Sequence, residues 1–263
     1  MRERDIALQA ALDAAEAIRT GFGRPAQQTE KGHLDFATDT DLEAERRIVA
    51  LLSRHFPDYG ILAEEGGWIA SGSGSPFTWL IDPLCGTLNF AAGIPLFNVN
   101  IALLERGRPV LGVLAEPLAG DVLWAEQGSG AHLLAADGRT APAQASGGTR
   151  LLALDFGHYP TEGDASALLD LVQRATLTPR FRLRMFSTSL GLGYVARGRL
   201  AAYAIDNARP WDVVAGAFIC QQAGCVVTDL AGDPWQPEAP GLVAAADPET
   251  YDTLREHLAS RPA

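Results

Sequence analysis

Short apolar runs that read as strands alternate along this chain with longer runs whose apolar residues recur every three or four positions. That alternation restricts the fold more than any other feature. Ile6 to Ile18 is amphipathic at helical spacing. Leu42, Ile48, Leu51 and Leu52 recur in the same way behind Thr40 and Glu43, a capping-box pattern that predicts a helix over residues 41–55. Strand-like runs follow at Gly60–Ala63 and Thr78–Ile81. Phe97, Val99, Ile101 and Leu103 then alternate with Asn98, Asn100 and Ala102, and a turn at Arg106–Pro109 predicts a hairpin partner at Val110–Ala115. Beyond these, strands are predicted at Leu151–Leu154, Ala201–Ala204 and Leu242–Ala245, and helices at Ala165–Val172, Ser189–Arg197, Asp212–Ala223 and Pro248–Leu258. Elements mixed in this order imply α/β or α+β layering and exclude all-α and all-β folds. No long sequence period recurs, and the Gly/Ser stretch from Gly66 to Ser75 is short, so the chain is neither a solenoid nor a linker-joined array.

Composition narrows the function classes. A chain of 263 residues, 47% hydrophobic, buries a core without covalent staples. Its cysteines, Cys85, Cys220 and Cys225, are odd in number and lack zinc spacing, which points to a reducing compartment. A net charge of -11 without a basic stripe argues against a nucleic-acid polymer as partner. Charged residues interrupt Met1–Gly21 and no apolar stretch is long enough to span a bilayer, so the expectation is a soluble, cytoplasmic protein with no membrane partner.

The chemistry concentrates in Trp79–Phe90, where an apolar strand delivers Asp82 at its end, Pro83 is expected to stop the ladder, and Gly86-Thr87 offers amides at a turn into a helix. A strand-end acid beside exposed amides is a metal-and-phosphate arrangement, although an ordinary Asp-Pro turn reads the same way. Upstream, Glu64 and Glu65 end another apolar strand. Downstream, Asp212 opens an apolar helix, where N-capping is the plain alternative, as it is for Asp39 and Asp41.

Taken together and in this order, Lys31, Thr38 to Asp41, Ala63-Glu64-Glu65, Asp82 to Phe90 and Trp211 to Gly216 resemble the inositol monophosphatase family over nearly the whole chain. The resemblance implies a five-layer αβαβα sandwich and one family domain over residues 1–263, with halves of about 1–145 and 146–263. It implies a Mg2+-dependent phosphate-monoester hydrolase acting on a small polyol, sugar or nucleotide phosphate, with Mn2+ as a second candidate cofactor and a homodimer as the family habit. By the same resemblance Glu64, Asp82 and the Leu84 carbonyl hold one cation, while Asp82 and Asp212 share a second. Glu64 and Thr87 position the attacking water, Asp41 orients Thr87, and the Gly86 and Thr87 amides grip phosphate.

Three positions depart from the family pattern. Cys85 stands where the family has a second aspartate that binds metal and meets the substrate hydroxyl, which makes it a candidate substrate contact, and a thiol near pKa 8.5 is a soft, largely protonated partner for a hard cation. The readings left open are an enzyme with a weaker or water-bridged second metal, an enzyme using a softer metal, and a protein that binds a phosphorylated ligand without turnover. A catalytic thiol is disfavoured, because its acidic neighbours raise its pKa. The phosphate-side helix is expected to open at Phe186-Ser187-Thr188 instead of Gly-Thr-Ala, which makes Ser187 a candidate phosphate contact. The acid that meets inositol aligns with Ile205 beside Asp206, and Arg209 is either a contact for an extra anionic group or a solvated arginine. His33, His55, His132, His158 and His257 show no ligand spacing.

Overall fold

The computed structural model describes residues 2–25, 27–32, 35–69, 74–146, 148–157, 167–177 and 180–258. Helix α1 (Glu3–Gly21) is followed by a hairpin of β1 (Gln28–Gly32) and β2 (Asp35–Thr38), then α2 (Asp39–His55). Next come β3 (Gly60–Ala63), β4 (Gly67–Ile69), β5 (Phe77–Cys85), the short α3 (Thr87–Ala91), β6 (Asn98–Glu105), β7 (Arg108–Glu116), β8 (Asp121–Glu126), β9 (Ala131–Leu134) and β10 (Thr140–Ala143). The chain continues with β11 (Leu151–Phe156), α4 (Ala167–Leu177), β12 (Arg182–Arg184), α5 (Leu190–Ala196), β13 (Ala202–Asp206), α6 (Pro210–Gln222), β14 (Val226–Thr228), β15 (Leu242–Ala245) and α7 (Pro248–Leu258).

These elements form the expected αβαβα stack. An eight-stranded sheet runs β10-β9-β8-β7-β6-β5-β3-β4, and a five-stranded sheet runs β12-β11-β13-β15-β14. Helices α1 and α2 cover the outer face of the large sheet, α5 and α6 lie between the sheets, and α4 and α7 cover the far face of the small one. Each interface has its own apolar core. Trp79 and Ile81 on β5 are fully buried under α2, and burying a side chain of this size stabilises the fold by about 1.5–3 kcal/mol. The alternate β5 residue Leu80 faces the opposite core, as period-2 side-chain alternation requires.

Two expectations are corrected. Pro83 does not stop the ladder: β5 runs on to Cys85, with an irregularity in register between Asp82 and Cys85 before pairing resumes at Cys85 and Asn98. The ring removes one donor, and the bulge absorbs that loss without ending the strand. The cap of α2 is Thr38 with Asp41, not Thr40 with Glu43. Both pairs have capping-box spacing, and the one used starts the helix two residues earlier. His33, His158, the start of the predicted helix at Ala165 and residues 70–73 of the Gly/Ser stretch lie outside the described residues.

Candidate active site

Parallel pairing of β3 with β5 sets Ala63 opposite Ile81, so the next residues, Glu64 just past the end of β3 and Asp82 at the irregularity within β5, emerge side by side. The Glu64 N–H donates to the Ile81 carbonyl at 3.0 Å and fixes that level. Asp82 is fully buried, its Oδ1 accepting from the Leu84 N–H at 3.0 Å and its Oδ2 from Asn100 Nδ2 at 3.3 Å. Asn100 also donates to the Asp212 carbonyl at 3.0 Å, which ties β6 to the start of α6. Pro210 occupies the first turn of that helix, and Asp212 Oδ2 accepts the Arg209 N–H at 2.9 Å. Asp212 therefore caps its helix and also faces the strand ends.

Asp41 has two uses as well. Its Oδ2 accepts from the Thr38 amide at 3.0 Å and from the Thr38 hydroxyl, while its Oδ1 accepts from Thr87 Oγ1 at 2.8 Å. A helix cap contributes about 1 kcal/mol, whereas enclosing a carboxylate costs several. Capping alone does not account for an Asp41 with no exposed surface; its bond to Thr87 is the other half of the explanation. Thr87 Oγ1 also lies 3.1 Å from the Leu84 carbonyl, and since the hydroxyl carries one hydrogen, that carbonyl is released whenever the hydrogen points to Asp41. Gly86 makes this turn possible, with φ at 103° and a position where an added Cβ would meet the Leu96 carbonyl at 2.9 Å.

Lys31 is the ammonium placed against these acids, with Nζ 2.8 Å from Glu64 Oε1 and 2.8 Å from Glu65 Oε1. Burial is the largest single influence on the Lys31 pKa and lowers it, but the charges and hydrogen bonds of Glu64 and Glu65 together outweigh it and the net shift is upward. Burial pushes Glu65 up to about 7. It also raises Asp82, with the charges of Glu64 and Asp212 adding to it, and pushes Asp212 up to about 7, with Glu64 again next. The Cys85 thiol is raised well above its ordinary value by burial and then by Asp82 and Asp212. It is a neutral thiol at neutral pH.

Asp41, Glu64, Glu65, Asp82, Leu84, Cys85, Gly86, Thr87, Asp212 and Lys31 are thus gathered at one seam. Among the described residues, however, no three His, Cys, Asp or Glu side chains form a ready metal-ligand set. Glu64 is turned to Lys31 and Asp212 Oδ2 to a backbone amide. Lys31 therefore serves as the local counter-charge. The donor chemistry fits a hard divalent cation: these are oxygen ligands, and burial and mutual repulsion raise the pKa values of Asp82 and Asp212, a strain that opposite charge relieves.

Ser187 is exposed in the turn before α5. Helix α5 begins at Leu190, one residue after the predicted start at Ser189, so the 186–188 stretch precedes the helix, and the Ser187 N–H is spent on Asp155 Oδ1 at 2.7 Å. Asp206 closes β13 with its carbonyl bonded to the Gly157 N–H at 2.8 Å, and Arg209 is exposed beside Asp212.

Sequence reasoning missed the neutral wall opposite the acids. Asn98, Asn100, Thr188 and Ser189 are buried, and Ser189 donates to Cys85 Sγ from its amide at 3.3 Å and its hydroxyl at 3.2 Å. Glu45, also buried, accepts the Glu65 N–H at 2.9 Å. The one available signal was two asparagines in a strand that is otherwise apolar on both faces. An open hollow of about 470 Å³ between α1 and the start of α2, lined by Glu16, Arg24, Thr40 and Arg47 among others, shares no residue with this seam.

A layered α/β fold with acids gathered from two neighbouring strands and a helix N-terminus between two sheets defines the class. A model of the inositol monophosphatase family matches residues 2–262, and the chain belongs to that family. It is 34% identical over 256 residues to a protein named Nus factor SuhB from Vibrio cholerae, covering 97% of this chain and 94% of that one. It is 35% identical over 226 residues to an inositol-1-monophosphatase from Caulobacter vibrioides, covering 85% and 88% of the two chains. The crystal structure of extragenic suppressor protein suhB from Bartonella henselae superposes with a TM-score of 0.86 at 30% identity, covering 97% of each chain. Among the described residues no helix is long and apolar enough to cross a membrane.

Proposed function

We propose that this seam hydrolyses phosphate monoesters of small polyols, sugars or nucleotides with Mg2+, or Mn2+ in its place. The observation that carries the reading is the Asp41–Thr87 bond at 2.8 Å beside the buried, mutually repelling Asp82 and Asp212. Glu64, Asp82, Asp212 and the Leu84 carbonyl are the residues to hold cations. A bound divalent cation supplies the positive charge that offsets a phosphate dianion and the charge building on the leaving oxygen. Thr87 gives its hydrogen to Asp41, so its free lone pairs accept from the attacking water and orient it. Glu64, once released from Lys31, takes the proton that this water loses. The Gly86 and Thr87 amides hold phosphate oxygens, and Arg209 at the rim favours substrates with a second anionic group. The halves 1–145 and 146–263 act as one unit because Asp212 and Asp82 belong to opposite halves, and the working form is a cytoplasmic homodimer, which light scattering would test.

Phosphate release from a panel of sugar, polyol and nucleotide monophosphates, with Mg2+, with Mn2+ and with chelator, tests the reading. Release that continues undiminished in chelator overturns it.

A second reading, a protein that binds a phosphorylated ligand without turnover, is favoured by the neutral Cys85 thiol and by the name Nus factor carried by several relatives. Calorimetry on the same panel separates the two: saturable, metal-dependent binding without product supports this alternative.

A further inference from the structure

Asp155 on β11 is 2% exposed, and the proposed chemistry does not use it. Its Oδ1 accepts from the Phe186 N–H at 2.9 Å and the Ser187 N–H at 2.7 Å, while its Oδ2 lies 3.5 Å from the Thr188 nitrogen. The Tyr203 hydroxyl donates to the carbonyl of Thr188 in the same turn at 3.4 Å. Ser187 sits at φ 52°, a left-handed conformation that a serine adopts only under external hold. Charge-assisted bonds from consecutive amides to one carboxylate provide such a hold. The Tyr203 ring is itself locked: it lies so close to α5 that a Cβ on Gly191 would meet it at 2.2 Å.

The residues that follow this turn reach the active seam. Thr188 Oγ1 is 3.0 Å from the Cys85 carbonyl and 2.6 Å from Asn98 Oδ1, and Ser189 covers the Cys85 sulfur with its amide and hydroxyl. From the other side, Asn89 Nδ2 donates to the Phe186 carbonyl at 2.6 Å. The turn at 186–189 therefore joins the small sheet to the Cys85 segment of the large one, and Asp155 is its anchor.

We infer that Asp155 is a positioning residue: it holds the Phe186–Ser189 turn in the one shape that sets Thr188 and Ser189 against Cys85, and so completes the substrate side of the site. The substrate-side part of the inference rests on the phosphatase reading above; the part concerning the shape of the turn does not.

The test compares wild type with Asp155→Ala, Asp155→Asn and Val243→Ala, the last being a truncation of a fully buried residue on the same sheet. The first readout is hydrogen exchange at the Ser189 amide, whose acceptor is Cys85 and not Asp155. The expectation is exchange at least about tenfold faster in Asp155→Ala, within about threefold of wild type in Asp155→Asn, which keeps the oxygen shared by Phe186 and Ser187, and unchanged in Val243→Ala. The second readout is kinetic: KM for a phosphomonoester rises about tenfold in Asp155→Ala with a smaller change in kcat, and Asp155→Asn recovers most of it. Wild-type Ser189 exchange in folded Asp155→Ala, or equal acceleration in Val243→Ala, overturns the inference. If Asp155→Ala does not fold, Asp155→Asn decides, since its lost second acceptor must still speed Ser189 exchange measurably. If the wild type releases no phosphate, the phosphatase reading fails and the exchange readout alone judges the anchor.

Discussion

On the wall formed by β3, β5 and α6, Glu64, Asp82 and Asp212 are acids whose charges raise one another's pKa values or those of their neighbours, with Lys31 in salt bridges to Glu64 and Glu65. On the wall formed by β6 and the turn before α5, Asn98, Asn100, Thr188 and Ser189 are neutral and satisfy one another, Asn100 reaching Ser189 Oγ at 2.8 Å and Thr188 reaching Asn98 at 2.6 Å. Both walls bury polar groups, but only one leaves charge unbalanced. A saturated neutral network adds rigidity, whereas crowded carboxylates create affinity for a cation. Cys85 stands at the boundary, touching the neutral wall through Ser189 and the acid wall through Asp82.

Breaking the acid wall produces the largest effect. Asp82→Asn or Asp212→Asn lowers phosphate release by about a hundredfold or more, several kcal/mol of transition-state stabilisation, measured at saturating Mg2+. Converting the boundary residue sharpens the contrast: Cys85→Asp adds a charged oxygen to the acid wall, so the Mg2+ concentration for half activity falls about tenfold while the metal-free melting temperature drops. Removing the resident cation with Lys31→Met takes away a competitor of Mg2+ and strengthens its binding by about threefold, read by calorimetry.

The smallest effect concerns the anchor of the neutral wall. Burial raises the Asp155 carboxyl above its ordinary value, so the folded state holds this proton more tightly than the unfolded one. The stability it contributes is fully present below the unfolded pKa of about 3.9 and is lost as pH rises through the raised folded value. Asp155→Asn removes that loss, so its melting temperature, followed from about pH 4 to about pH 7, falls less steeply than that of wild type. Parallel curves contradict the assignment.

The acid wall was legible in the sequence and the neutral one was not, and the reason is physical. Asp82 and Glu64 each end an apolar run and Asp212 opens one, and a charge at the edge of a buried element needs a partner, so the pattern itself announces a site. Ser189 and Asn100 are ordinary polar residues that become a network only through contact across 89 positions of chain. Among the elements, β3, β15 and α7 match their predicted bounds. The strand β8 escaped because its four central residues are buried on both faces, which erases alternation. The cap of α2 was misassigned between two overlapping signatures, and only the tertiary bond from Thr87 to Asp41 shows why the earlier one is used.

The account stands on the claim that the acid wall is a cation site, and titration of Mg2+ into wild type and Asp82→Asn at neutral pH, by calorimetry with melting temperatures taken on the same samples, tests it most directly. The prediction is saturable binding with a rise in melting temperature for wild type, and binding at least about tenfold weaker with little rise for Asp82→Asn. Equal affinity in the two proteins, or a wild type whose melting temperature ignores Mg2+, would contradict it.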